Sequence, residues 1–241
     1  MPFPDHVFRH APALRGRITP PDTSEMRFGY ERFAELDEQA LEEGWPPGWR
    51  MDHEDREANR QETLAGRLKT DLWVFAYGSL IWDPAVHVAE YRRGLLQGWH
   101  RSFCMRLEGG RGSHGCPGLM AALDEGGQCD GVVFRIAAGL VDQETKFLWH
   151  REMFAGAYEP RFLEVDTPQG SVEALVFVMD RSNRRFMPHL DQEEAAKMIA
   201  VAEGVLGSNF DYLHSLVDHL NELGIEDREL RRLLERTRAY R

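Results

Sequence analysis

The sequence lacks the features that mark a membrane protein, a secreted disulfide framework or a structural zinc site. No apolar run approaches the length of a membrane span, and the charged stretch from His6 to Arg17 excludes the apolar core of a signal peptide. The three cysteines show no CxxC spacing, so the histidine pairs in the chain, such as His6 with His10, lack the paired cysteines that a zinc finger requires. We therefore expect a cytoplasmic protein with buried or incidental thiols and no bound metal.

Positive charge is also scarce. The 241 residues include 29 Lys and Arg against 40 Asp and Glu, which gives a formal net charge of -11. A negative chain repels nucleic acid and anionic membrane surfaces. We expect a small molecule as the partner, with no nucleic acid and no membrane, and the sequence indicates no oligomeric state.

The motifs of common catalytic classes are missing as well. Neither H-E-x-x-H nor G-x-S-x-G occurs, which argues against a zinc protease or a serine hydrolase. The run Gly110 to Gly115 matches the dinucleotide pattern G-x-G-x-x-G, but a strand-like segment follows it where that fold needs a helix. We interpret the run as a flexible loop from which Arg111 reaches a substrate carboxylate, or as a solvated hairpin loop.

The most informative stretch that is present runs from Leu72 to Trp82. Its apolar half predicts a strand buried on both faces, which ends at the loop Tyr77-Gly78-Ser79-Leu80. Successive backbone amides in such a turn can bind an anion, and the Ser79 hydroxyl can add a donor. An ordinary strand and turn is the alternative.

The order of the remaining elements predicts an α+β fold. We expect an N-terminal extension, partly helical, over residues 1 to 70, and one domain over residues 71 to 241. Only one helix-length segment, Leu140 to Phe154, interrupts the predicted strands, so the alternation of a doubly wound sheet is absent. A small mixed β-barrel with one embedded helix fits the pattern, with strands over Val86 to Tyr91, His100 to Leu107, Leu119 to Leu123, Gly131 to Ile136, Phe162 to Val165 and Val172 to Met179.

Helices are predicted on both sides of this domain. Two lie in the extension, from Ser24 to Glu43 and from residue 53 to 69, and the charged second helix is expected on the surface with Asp52 as its N-cap. Three follow the strands: Gln192 to Val205, a helix with Ser208 as N-cap and Asp211 at the third following position, and Asp227 to Arg238.

The embedded helix carries a candidate catalytic carboxyl, Glu152. Apolar residues recur along one side of this helix (Leu140, Phe147, Leu148 and Phe154), and Glu152 stands at the edge of that stripe. Partial burial raises the pKa of a carboxyl toward the value that a general base needs. A solvated Glu152, or one paired with Arg151, is the alternative.

Four segments in order resemble the ChaC family of glutathione-specific γ-glutamylcyclotransferases. The resemblance runs from Leu72 to Arg238 and is carried by Tyr77-Gly78-Ser79-Leu80-Ile81-Trp82, Arg111-Gly112-Ser113 followed by Pro117-Gly118, Arg151-Glu152-Met153 with Tyr158 and Pro160, and Gly207-Ser208-Asn209 with Tyr212-Leu213. One departure is Gly110-Arg111-Gly112-Ser113, where many relatives read His-Arg-Gly-Thr. A hydroxyl is kept there, so the departure concerns only substrate positioning.

The resemblance implies a γ-glutamylcyclotransferase-like barrel and an enzyme that cleaves glutathione to 5-oxoproline and cysteinylglycine. The α-amine of the substrate attacks its own γ-carbonyl, so the reaction implies no cofactor and no metal. By the same resemblance Glu152 is the general acid and base, and the substrate-binding residues are Tyr77, Gly78, Ser79, Leu80, Arg111, Tyr158 and Tyr212. For Tyr158 and Tyr212, packing as core aromatic residues is the alternative. Two alternatives remain open: a cyclotransferase for other γ-glutamyl amino acids or amines, and a non-catalytic regulator of cation transport.

Overall fold

The computed structural model describes residues 3–42, 44–45, 47–188 and 190–241. It confirms the expected α+β class. The helices are α1 (Tyr30–Glu42), α2 (His53–Thr63), α3 (Val141–Glu152), α4 (Gln192–Val201), α5 (Asn209–Glu222) and α6 (Arg228–Arg238). The strands are β1 (Leu72–Ala76), β2 (Glu90–Leu107), β3 (Gly118–Ile136), β4 (Tyr158–Val165), β5 (Val172–Met179), β6 (Glu203–Gly204) and β7 (Gly207–Ser208). Within the described ranges, every helix is too short or too polar to cross a bilayer.

The chain divides into two compact units. The first contains Met1–Leu96 and Gly131–Phe177, and the second contains Gln97–Asp130 and Val178–Arg241. The strands β2 and β3 therefore each contribute one part to each unit. The division of the chain at residue 70 stays a prediction.

The strand β1 is the centre of a five-stranded sheet with the order β2-β3-β1-β5-β4. It pairs antiparallel with β3, from Leu72 opposite Ile136 to Ala76 opposite Val132, and parallel with β5. Four of its five residues are buried, as expected for a strand covered on both faces. Because an antiparallel bridge joins Leu95 in β2 to Asp166 after β4, the two outer strands of the sheet meet there.

Two long strands replace four short strands of the prediction. The segments His100 to Leu107 and Leu119 to Leu123 are parts of β2 and β3, which contain 18 and 19 residues. Gly98 in β2, and Gly126 and Gly127 in β3, take positive φ. In the structure they bend strands that continue.

The buried side of α3 was predicted only in part. Leu148 is buried as expected, but Leu140 is 37% exposed and Phe147 is half-buried. The residues that α3 buries include charged ones: Val141, Glu144, Thr145, Leu148, Trp149, His150 and Arg151. A search for apolar periodicity misses this side because it counts charged residues as solvated.

The α2 helix lies on the surface as predicted, but the two residues that it buries are charged. This helix ends at Thr63 and buries Arg56 and Arg60, which are 1% and 0% exposed. The Arg60 guanidinium donates to the Thr145 hydroxyl at 2.8 Å, and the Arg56 guanidinium lies 4.1 Å from the centre of the Phe33 ring. Each arginine thus contacts a residue of another helix, which the sequence of α2 alone does not reveal.

The ends of the other predicted helices show which caps were read correctly. Ser208 caps α5 by accepting a hydrogen bond from the Asp211 amide at 3.1 Å, as predicted. Asp52 precedes α2, but its side chain makes no capping hydrogen bond there. The α4 helix ends at Val201 because the next residue is extended and leads into the β6–β7 hairpin. The first helix was expected to reach Glu43, which lies outside the described residues.

A buried ion pair joins the N-terminal segment to α3. Arg27 donates two hydrogen bonds to Glu144, at 2.6 and 2.9 Å, and the two side chains are 12% and 1% exposed. Burial alone would raise the pKa of Glu144, but hydrogen bonds from Arg27 and His87 outweigh it and hold this pKa below its ordinary value. The stability that this depressed pKa contributes is present above about pH 4.5 and is lost as pH falls through the folded-state pKa.

We expect Arg27→Met to lower the free energy of unfolding at pH 7 by about 3 kcal/mol, because it strands a buried carboxylate. Urea denaturation measures this loss. The double variant Arg27→Met/Glu144→Leu removes both charges and should recover most of the stability. An Arg27→Met protein as stable as wild type would show that the pair contributes nothing.

Candidate active site

The loop predicted to bind an anion follows the central strand β1. The Tyr77 hydroxyl donates to the Phe177 carbonyl at 2.9 Å, which fixes the start of the loop. Gly78 takes φ −132° and ψ −138°, and the chain then turns through a 3-10 helix, Ser79–Ile81. Within the described chain the amides of Ser79 and Leu80 donate no hydrogen bond. Two donors at the end of a buried strand are therefore available to an anion.

Arg151 ties this loop to the candidate catalytic carboxyl. Its Nη2 donates to Ser79 Oγ at 2.6 Å, and its Nη1 donates to the carbonyl oxygen of Asp83. Its Nε lies 2.9 Å from Glu152 Oε1. The Arg151 side chain is only 4% exposed, so one buried guanidinium fixes both the loop and the end of α3.

Glu152 is the last residue of α3, and its side chain is 13% exposed. Burial raises the pKa of Glu152, and the charge and hydrogen bond of Arg151 lower it, with burial the larger effect. Burial and pairing with Arg151, which the sequence offered as alternatives, thus occur together. The carboxyl is paired with Arg151, and it still holds a proton to higher pH than an exposed glutamate does.

The two predicted tyrosines of the first unit lie near the same residue of β5. Tyr158 begins β4 and is 7% exposed, and its ring centre lies 6.5 Å from that of Phe177. The carbonyl of Phe177 accepts the Tyr77 hydroxyl. The first unit therefore groups Tyr77 with Tyr158, and links Ser79 to Glu152 through Arg151.

Arg111 and Tyr212 come together in the second unit. The Arg111 guanidinium donates to the Ser208 carbonyl at 3.2 Å and lies 5.5 Å from the centre of the Tyr212 ring. Tyr212 is 5% exposed and packs against Phe103 at a ring distance of 5.7 Å. Burial lowers the pKa of Arg111, because a buried cation is stabilised less by water. An anion such as a carboxylate would compensate for the hydration that this guanidinium loses on burial.

The base of the glycine-rich loop packs against Gly204 and lies beside Asn209. Asn209 binds the backbone of Leu119 twice, accepting from its amide at 2.7 Å and donating to its carbonyl at 2.6 Å. The backbone of Gly204 packs so closely on the loop that a Cβ there would lie 2.5 Å from the Gly112 carbonyl oxygen. The base of the loop is thus closely packed, and exposed residues are confined to its tip, residues 113–115.

Two of the three thiols are unreactive at neutral pH. Burial raises the pKa of Cys104 to about 12 and the pKa of Cys129 to about 11. All three cysteines are free, and Cys116 is half-buried. Because the thiolate is the reactive form, Cys104 and Cys129 serve as small apolar side chains.

The sequence did not identify Arg151 as a functional residue. From the sequence, Arg151 was only an alternative ion-pair partner for Glu152. Adjacency to Glu152 was the available signal, since no local pattern tells that a helical arginine is buried against a loop 72 residues earlier in the chain.

The sequence matches the family model described as ChaC-like protein over residues 72–240. The glutathione-specific gamma-glutamylcyclotransferase of Escherichia coli (strain K12) is 43% identical over 183 residues, which cover 75% of this chain and 79% of that protein. The glutathione-specific gamma-glutamylcyclotransferase 1 of Danio rerio is 33% identical over 165 residues, which cover 66% of this chain and 83% of that protein.

The fold is similar to a crystal structure of a yeast gamma-glutamylcyclotransferase specific to glutathione. The TM-score is 0.67 at 24% identity, and the likeness covers 71% of this chain and 97% of the yeast chain. At this identity the likeness shows the fold alone. It confirms the γ-glutamylcyclotransferase-like architecture expected from the sequence.

We expect Gly204→Ala to lower the free energy of unfolding by about 2 kcal/mol or more, because its Cβ would overlap backbone oxygens that have no room to retreat. Urea denaturation measures the change. Gly115→Ala is the matched control, since a Cβ there meets nothing within 4 Å and its φ is not positive. Equal stability of the two variants would contradict the close packing.

Proposed function

Because the chain belongs to the ChaC-like family, we propose that it is a glutathione-specific γ-glutamylcyclotransferase with Glu152 as its general acid and base. The observation that carries this proposal is the joint placement of a buried carboxyl with a raised pKa and a loop with two open amides. Arg151 holds the two together, with 2.6 Å to Ser79 Oγ and 2.9 Å to Glu152 Oε1.

The reaction forms one carbon–nitrogen bond and breaks another. The α-amine of the γ-glutamyl group attacks the γ-carbonyl carbon, which closes the 5-oxoproline ring, and the amide bond to cysteinylglycine breaks. The attacking nitrogen loses a proton and the departing nitrogen gains one. A single carboxyl that first accepts and then returns the proton serves both steps.

The raised pKa of Glu152 suits this role. An exposed glutamate has a pKa of about 4.3 and is a weak base at neutral pH. Burial raises the pKa of Glu152 and strengthens it as a base, while the charge and hydrogen bond of Arg151 lower this pKa.

The loop that contains Ser79 and Leu80 is proposed to bind the α-carboxylate of the substrate. Its two open amides supply donors, and the Ser79 hydroxyl can donate as well, because Arg151 already occupies an acceptor position on Ser79 Oγ. Fixing this carboxylate removes rotational freedom from the glutamyl chain and favours the ring-closing conformer. Tyr77 and Gly78 shape this loop.

The remaining proposed binding residues act on substrate affinity. Tyr158, from the strand after α3, is proposed to contact the γ-glutamyl part, and Arg111 with Tyr212 is proposed to bind a carboxylate or to close the loop around it. Arg111 suits this role because its guanidinium is partly desolvated and donates a hydrogen bond to a neutral carbonyl, that of Ser208. Loss of these residues should raise KM more than it lowers kcat.

We expect Glu152→Gln to keep the fold and to reduce kcat with glutathione at least about 1000-fold, because amide nitrogen and oxygen cannot relay the proton. Release of 5-oxoproline from glutathione by the purified protein measures the rate. Glu159→Gln is the matched control, since Glu159 is an exposed glutamate paired with Arg161 at 2.8 Å.

A second substrate separates the competing functions. Turnover of glutathione without turnover of γ-glutamylalanine supports the proposal, and comparable rates support a cyclotransferase of wider range. Release of 5-oxoproline from neither substrate by folded protein would overturn the enzyme and favour the transport regulator. A Glu152→Gln variant with a rate near wild type would overturn the role of Glu152 alone.

A further inference from the structure

A segment that precedes the family match lies against the proposed active site. The match begins at residue 72, but residues 19–27 contact the chain just after the Ser79–Ile81 turn. The Thr19 amide donates to the Trp82 carbonyl at 2.7 Å, and the Ser24 hydroxyl donates to Asp83 Oδ1 at 2.7 Å. Arg27 Nη1 donates to the Ala85 carbonyl at 2.8 Å.

The same segment also holds the catalytic helix. Arg27 forms its bidentate pair with Glu144 on α3 and lies 3.8 Å from the centre of the Phe147 ring. The next residue, Phe28, contributes its carbonyl oxygen 3.1 Å from His150 Nδ1. Residues 19–28 therefore contact both elements that Arg151 joins, the binding loop and α3.

Ser24 has a specific position in this arrangement. Asp83 Oδ1, which accepts the Ser24 hydroxyl, lies 4.0 Å from Arg151 Nη1. Asp83 is thus a second carboxylate within reach of the guanidinium that pairs with Glu152. The Ser24 hydroxyl satisfies that oxygen and limits its competition for Arg151.

We propose that Ser24 and Arg27 are positioning residues of the active site, through which the N-terminal segment fixes the Arg151–Glu152 pair and the Ser79 loop. This inference rests on the proposed function of Glu152. Ser24 acts through Asp83 and Arg151, and Arg27 acts through Glu144 and the Ala85 carbonyl. Neither residue contacts the reacting atoms.

Removal of the Ser24 hydroxyl should change the pH dependence of turnover. In Ser24→Ala, Asp83 Oδ1 lacks its donor and draws the Arg151 guanidinium away from Glu152. Arg151 lowers the pKa of Glu152, so weaker pairing raises this pKa further. The base then loses its proton only at higher pH, and the acidic limb of the kcat/KM profile moves to higher pH.

The test compares kcat/KM against pH for wild type, Ser24→Ala, Ser24→Thr and Thr23→Ala, with glutathione as substrate. Thr23→Ala is the matched control because its hydroxyl donates only within the exposed segment, to the Pro20 carbonyl at 3.0 Å. We expect Ser24→Ala to lose about 10-fold in kcat/KM and to shift the acidic limb upward, with rescue by Ser24→Thr. A profile for Ser24→Ala that matches Thr23→Ala would overturn the proposal.

Amide hydrogen exchange gives a second measurement of the positioning role that does not depend on enzyme activity. The amides of Trp82 and Asp83 both donate to the Ser79 carbonyl, at 3.2 and 2.9 Å. We expect these amides to exchange faster in Ser24→Ala than in Thr23→Ala, and unchanged exchange would refute the positioning role. If the wild-type protein releases no 5-oxoproline while these amides still exchange faster in Ser24→Ala than in Thr23→Ala, the proposed function is refuted and the positioning contact stands.

Discussion

The buried guanidinium of Arg151 is the interaction on which the proposed active site depends. A cation that is 4% exposed must find its hydrogen-bond acceptors inside the protein. It finds three, the Ser79 hydroxyl oxygen, the Asp83 carbonyl oxygen and the Glu152 carboxylate. Loss of any one would leave part of a buried charge unpaired. The loop after β1 and the end of α3 therefore keep one geometry, because any other would leave the buried guanidinium without acceptors.

The same guanidinium sets the chemistry of Glu152. Burial alone raises the pKa of this carboxyl, and the contact with Arg151 alone lowers it. Their opposition leaves a raised pKa in a group that still contacts a cation. The Arg151–Glu152 pair therefore affects both the packing of α3 and the pKa of Glu152. The buried charges that hold α3 in place also determine how readily its last residue exchanges a proton.

Elements that depend on local pattern were predicted well from the sequence. The apolar run of β1 identified the central strand, and Ser208 followed by Asp211 identified the start of α5. Glu152 became a candidate because a carboxyl at the margin of an apolar stripe is a local feature. Its proposed role came only from the ordered resemblance to a family.

Features that depend on distant partners could not be predicted. Arg27 and Glu144 are 117 residues apart, so nothing near either residue indicates that both are buried. Arg56 likewise looked solvated because the Phe33 ring that covers it belongs to another helix. The lengths of β2 and β3 were missed for a related reason, since a glycine that bends a strand and a glycine that ends one look the same in sequence.

Titration of the Glu152 carboxyl tests the central claim most directly. Carbon-13 labelling of glutamate, with Glu152→Gln to assign the signal, gives the pKa of this one group by NMR. Burial against the opposing charge of Arg151 predicts a pKa above about 4.5, the ordinary value for glutamate. A Glu152 that titrates at or below the ordinary value would show that Arg151 outweighs burial, and it would contradict the raised pKa on which the proposed role of Glu152 rests.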